Sequence, residues 1–137
     1  MESGELDAAI ARFGGALQRY PNKMQLVYDY PEALLKAKRT RDAVAFLNLQ
    51  FVRFPDDGQL HRIAAQAYSD LGNQMEMHRH QGEYYAWQGD LKSAVAQLEI
   101  ASKAGDGDFY LSSVIDARLR TLRRELAEQQ TNSDRNG

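Results

Sequence analysis

The chain contains no cysteine. Disulfides, thiol nucleophiles and thiolate metal sites are excluded, although a compartment is not fixed by that absence. Proline is scarce, with only Pro21, Pro31 and Pro55. Alternating β-branched runs are missing, so the pattern predicts an all-α chain. Neither charge sign dominates: 17 Lys and Arg stand against 19 Asp and Glu, for a formal net charge of −2. Nucleic-acid binding leaves a basic footprint, and none is present. No apolar run approaches the roughly 18 residues of a membrane-spanning helix. Residues 1–20 lack a basic segment followed by an apolar one, so no signal peptide is expected on this chain.

What is present is an ordinary globular composition, 43% hydrophobic and 26% charged, in 137 residues. That length predicts one domain. We place it at 1–130, with a capping helix over 105–130 and a disordered tail over 131–137.

The informative stretch is Gly82–Ala101. It reads as half a helix, a turn at Gly89-Asp90, then a second helix. Gly82, Tyr85, Gly89, Ala94, Leu98 and Ala101 fall at small, aromatic, turn, small, large and small positions. This pattern resembles the tetratricopeptide repeat, a 34-residue helix–turn–helix unit. The resemblance covers about residues 4–104 and implies a helical-hairpin solenoid of about seven helices with a C-terminal cap.

Laid out in that register, Ala9, Phe13, Ala16 and Pro21 end one repeat, with Gly4 at its inter-helix turn. Met1 to Ser3 would then close a first helix that is missing, and Ile10, Phe13 and Leu17 would lack their hairpin partner. A chain beginning mid-repeat is the expectation. The alternative is a natural N-terminal cap, whose outer face is usually polar. Gly14-Gly15 fit either close approach of another backbone or simple tolerance. The next repeat has helices over about Lys23–Ala37 and Thr40–Arg53, with Ala43 and Leu47 in pattern and Gln50 in a small-residue slot. Pro31 falls inside the first of these, where it removes a hydrogen bond, so a kink is expected.

A helix from Gly58 carries Leu60, Ile63, Ala64, Ala67 and Tyr68 on one face and ends at Leu71-Gly72-Asn73, with Gly72 relieving a left-handed cap. Gln74–Gln88 serves poorly as the second helix of that repeat, because Gln81 takes a large apolar slot and Tyr84 a small one. It serves well as a first helix of the next. One helix therefore plays both parts. Leu91–Lys103 follows, then a turn at Gly105–Asp108. A last helix, about Asp108–Gln129, carries Ile115, Leu119, Leu122 and Leu126 as an amphipathic stripe.

Catalytic signals are thin. His78 and His80 point to different helix faces, and no H-E-x-x-H motif occurs. His80 with Glu76 or Glu83 is the one conceivable metal pair, and polar surface is the preferred reading of these histidines. Gly105-x-Gly107 is too short for a phosphate loop. No nucleophile–base–orienter set appears. Neither catalytic nor cofactor or metal residues are assigned. Arg118, Arg120, Arg123 and Arg124 are read as a solvated face, with Asp116–Arg120 as a helical pair. Tyr85 reads as core. Trp87 divides evenly between core and binding hot spot, for which Trp is enriched. The positions expected to face a protein-binding groove are Tyr28, Glu32, Arg62, Gln66, Arg79, Glu83 and Trp87. Glu32, Gln66 and Glu83 do not match the Lys/Asn clamp by which some tetratricopeptide domains grip a C-terminal carboxylate.

A narrower likeness lies over residues 61–126. The shared helix, the QLEIA run, Gly107-Asp108-Phe109-Tyr110 and the ARLRTLRREL ending resemble the C-terminal half of the bacterial β-barrel assembly-enhancing protease family, which are periplasmic zinc metallopeptidases with chaperone function. The resemblance implies a periplasmic, non-catalytic domain. Its partners would be outer-membrane β-barrel proteins, their assembly machinery and the parent protease domain. Zinc is expected only in an absent catalytic domain, and no catalytic residue carries over. The alternative is a stand-alone cytoplasmic adaptor.

Overall fold

The structure is a computed structural model that describes residues 3–136. Among these, seven helices follow one another: α1 Ser3–Arg19, α2 Met24–Lys36, α3 Thr40–Arg53, α4 Gly58–Leu71, α5 Gln74–Trp87, α6 Leu91–Ala104 and α7 Phe109–Asn136. Each packs against the next in sequence, and α2 also touches α4. The helices α2, α4 and α6 start 34 and 33 residues apart, which is the repeat period read from the sequence. Helices of about 14 residues are marginal alone in water, so packing holds these in place.

The core runs as three linked clusters along the stack. Ile10, Ala33, Leu34 and Ala43 join α1 to α2 and α3. Val27, Leu47, Leu60, Ile63, Ala64 and Ala67 join α2, α3 and α4. Met75, Ala94, Val95, Leu98, Ala101, Ile115, Leu119 and Leu122 join α5, α6 and α7. Tyr85 packs against this last cluster, as its pattern position requires. Gly82 explains the tight α5–α6 seam. A Cβ there would lie 3.0 Å from Leu98 Cγ and 3.2 Å from the Ala94 carbonyl oxygen.

Helix ends are set by particular side chains. Asp57 Oδ1 accepts from the Leu60 amide at 3.0 Å and caps α4. Gly72 ends α4 with φ 75, in the left-handed conformation expected of it. The Gly105–Asp108 turn does more than reverse the chain. The Asp106 carboxylate accepts from the amides of Gln74 and Met75 at 2.6 and 2.8 Å, so it caps α5 from 31 or 32 residues away. A carboxylate at a helix N-terminus satisfies orphan amides and meets the positive end of the dipole.

Several expectations need correction. Ser3 and Gly4 lie inside α1 and not at the end of an earlier helix, while Met1 and Glu2 lie outside the described residues. Ile10, Phe13 and Leu17 do not lack cover. Ile10 is buried, and Phe13 and Leu17 pack against the first two clusters, because α2 lies over this face. Gly14 faces the Tyr30 ring, not another backbone. By contrast, α2 does run on through Pro31 as expected, and the proline is fully buried. The tail expected to be disordered over 131–137 is helix as far as Asn136, and Gly137 lies outside the described residues. Residues 127–136 are all exposed, so this last part of α7 rests on local bonds such as Thr131 Oγ1 to the Ala127 carbonyl, 2.9 Å.

Candidate protein-binding surface

The seven positions expected to line one groove fall in four places. Glu32 and Arg62 pair at 2.9 Å and tie α2 to α4 on the exposed side of their contact. Arg62 also donates to Gln59. One and two turns along α4, Gln66 bonds Asp70 at 2.9 Å. Arg62 and Gln66 border a hollow of about 390 Å³ between α4 and α5, floored by Ala65 and Ser69 and closed by Met77, Gln81 and Tyr84. Small residues on α4 against longer ones on α5 make this hollow. It explains why Gln81 and Tyr84 fit a packing pattern badly: they face an open space.

Tyr28 is tied within the fold. Its hydroxyl donates to Asp57 Oδ2 at 2.7 Å, so the carboxylate that caps α4 also binds α2. Burial, that hydrogen bond and the carboxylate charge push the Tyr28 pKa up to about 12.

Arg79 points to the opposite side of α5. Its Nη2 donates to Glu76 at 3.1 Å, and its Nε is buried without a partner. It borders a hollow of about 430 Å³ together with Asp106 and Tyr110. Glu83 is consumed by Arg118 of α7, which donates to it from Nε at 2.8 Å and from Nη2 at 2.9 Å. This forked pair fastens α7 back onto α5. Arg123 bonds Glu99 of α6 at 3.3 Å. The basic face of α7 is therefore partly spent on internal pairs with other helices, and not on the expected Asp116–Arg120 pair. Helical spacing shows which charges neighbour each other along one helix, but not which helix lies opposite.

Trp87 lies against the first turn of α4. A Cβ on Gly58 would meet the indole at 2.0–2.4 Å, so only glycine permits this contact. Tyr84 stacks beside it at 6.1 Å. The indole is still 52% exposed. Trp87 and Glu83 border a hollow of about 210 Å³ with Asp56, His61, Arg118 and Glu125.

The histidines are a further correction. His80 is 1% exposed and His61 6%, so neither is polar surface. Their rings lie among Phe51 and Tyr68. The proton pattern follows from the partners. His61 Nε2 donates to the Pro55 carbonyl at 2.8 Å. His61 Nδ1 is then an acceptor, for His80 Nδ1–H at 2.9 Å. His80 Nε2 is left to accept from Arg79 Nη2 at 3.2 Å. Burial first, then the positive charge of Arg79, push the His80 pKa down to about 4, against the pull of Glu76. Burial lowers that of His61 too. His78 is separate and bonds Gln97 at 2.7 Å. Periodicity missed His80 because α5 is covered on two sides, by α4 and by α6. A one-face reading assigns the second buried side to solvent.

Of the two candidate metal pairs, His80 and Glu76 do come together, with Nε2 3.2 Å from Oε2, whereas Glu83 is turned to Arg118. Among the described residues, no three His, Asp or Glu side chains gather as a metal site. Among them, too, no helix is long and apolar enough to cross a membrane.

Residues 1–67 match the family model described as tetratricopeptide repeat. No curated protein matches the sequence. The match runs from α1 into α4, and the same alternation of packed hairpins continues through α7. The chain carries the all-α helical-hairpin solenoid of the tetratricopeptide type.

Proposed function

We propose that this chain is a non-catalytic protein-binding scaffold whose partner rests in the α4–α5 hollow. The supporting observation is the hollow itself, with exposed Arg62 and Gln66 on one wall, Gln81 and Tyr84 on the other and small residues beneath. Amide, guanidinium and phenol groups over a small-residue floor suit an extended polypeptide, which offers backbone donors and acceptors at each residue. Arg79, Glu83 and Trp87 would serve a second surface on the other side of α5.

The finer reading rests on the resemblance over residues 61–126. On it, the chain is the substrate- and partner-binding domain of a periplasmic zinc metallopeptidase that acts in outer-membrane protein assembly and quality control. On this reading, zinc chemistry belongs to another domain. β-Barrel precursors, their assembly machinery and the parent protease domain are the partners on this reading.

The test is site-specific photo-crosslinking in the source cells, with the reactive group at Gln66 or, as a control, at Arg19. Crosslinks at Gln66 to β-barrel outer-membrane proteins, in an envelope or periplasmic fraction, support the proposal. Crosslinks confined to cytoplasmic proteins overturn the periplasmic reading and leave the stand-alone adaptor. No crosslink preference for Gln66 over Arg19 overturns the assignment of the hollow.

A further inference from the structure

The hollow beneath Trp87 has a chemistry of its own. Trp87 is the single tryptophan of the chain, and it stands 52% exposed. One face of the indole lies against Gly58, and Tyr84 stacks beside it with ring centroids 6.1 Å apart and planes 27° from parallel. Its ring is held in place while much of its surface stays in water. A large exposed ring that is already ordered loses little entropy on binding.

The charges around it are unbalanced. Asp56, Glu83 and Glu125 border the hollow, against Arg118 alone among the cations. Arg118 is committed to Glu83 by its forked bonds. Asp56, in the α3–α4 loop, and Glu125, in α7, are exposed, and neither carboxylate has a hydrogen bond or ion pair among the described residues. His61, which also lines the hollow, has both ring nitrogens occupied. The hollow thus combines an exposed aromatic ring with two uncommitted negative charges. At about 210 Å³ it admits one side chain and excludes a helix.

We propose that this hollow is a subsite for an arginine side chain of a partner polypeptide. The guanidinium stacks on the indole and donates toward Asp56 of the α3–α4 loop and Glu125 of α7. A planar guanidinium suits this better than a lysine ammonium. It stacks on an aromatic ring and still presents in-plane N–H groups to carboxylates. An acidic or neutral side chain gains nothing from the excess negative charge. Resting on the scaffold reading for the partner being a polypeptide, the subsite adds what that partner must carry: an arginine placed to reach the α7 side of α5.

Trp87 supplies its own probe. The whole chain, labelled with 15N, is titrated with acetyl-Gly-Arg-Gly-amide while the indole N–H signal and Trp fluorescence are followed. Matched peptides carry citrulline or lysine in place of arginine. The expected result is a saturable shift with the arginine peptide, at least about tenfold weaker with citrulline and intermediate with lysine. Asp56→Asn with Glu125→Gln, two exposed changes that leave the core alone, weakens arginine binding at least about tenfold at unchanged thermal stability. Equal shifts with citrulline, no saturable shift at tens of millimolar, or an unaffected double variant would each overturn the proposal. Lysine binding as tightly as arginine would overturn the guanidinium assignment. A failed titration beside positive Gln66 crosslinks removes the arginine subsite and keeps the scaffold. Success beside failed crosslinks does the reverse.

Discussion

Lowering the pH from 7.5 to 4.5 should destabilise this fold, and His80 should account for most of the loss. In the folded state His80 is buried and neutral, with its pKa near 4 in place of the ordinary 6.5. The unfolded chain takes up a proton near 6.5 and the folded chain does not. The group therefore contributes its full stability above pH 6.5 and loses it as the pH falls toward 4. Below that it has nothing more to lose. At about 1.4 kcal/mol per pH unit, the interval from 6.5 to about 4 corresponds to about 3 kcal/mol, most of it gone by pH 4.5. His61, whose pKa is also lowered by burial, acts in the same direction. Burial works to raise the Glu76 pKa, but the facing His80 and Arg79 outweigh it and lower it. Glu76 therefore matters only at the acid end. The assay is urea unfolding, followed by helical circular dichroism, at intervals from pH 7.5 to 4.5. The comparison is His80→Leu, which loses the bonds to His61 and Arg79 and starts about 1–3 kcal/mol lower. Its pH profile should be markedly flatter. A wild-type midpoint that does not move between pH 6.5 and 4.5 would refute the reasoning. So would an equal slope in His80→Leu.

Other perturbations have clear directions. Leu98 is fully buried beneath Gly82, so Leu98→Ala should cost about 2–5 kcal/mol in denaturant unfolding, against less than about 0.5 for the exposed Arg39→Ala. Glu83→Gln should weaken the α5–α7 joint by about 1–2 kcal/mol, because the forked pair is only partly shielded from solvent. Its effect should shrink in high salt. Asp106→Ala should cost about 1 kcal/mol and speed amide exchange at Gln74 and Met75 before any other part of α5. An unchanged exchange rate at those two amides would remove Asp106 as the cap.

The helices and their order were legible because each repeat writes its packing into spacing. Gly82, Ala94 and Leu98 are recognisable as a seam because only a small residue admits the close approach that the neighbouring large one fills. The dual role of Gln74–Gln88 was legible for the same reason. Its two faces carry two registers, and α5 does pack on both α4 and α6. The candidate site was less legible. Placing Tyr28, Glu32, Arg62, Gln66, Arg79, Glu83 and Trp87 on one surface required each helix to present the same side. The side chains instead divide around α5, with Arg62 and Gln66 on one side of it and Arg79, Glu83 and Trp87 on another.

By itself the sequence determined the all-α class, the period of about 34 residues, and the apolar stripes of α4, α6 and α7. These follow from local spacing, which repeats in every helix regardless of what lies opposite. Tertiary structure alone decided which polar groups meet. The His61–His80 pair, the Glu83–Arg118 fork and the Asp106 cap join residues 19, 35 and 31 or 32 positions apart. No periodicity links such partners. Their meeting depends on helix crossing and on loop placement, and both are set only when the stack closes around its core.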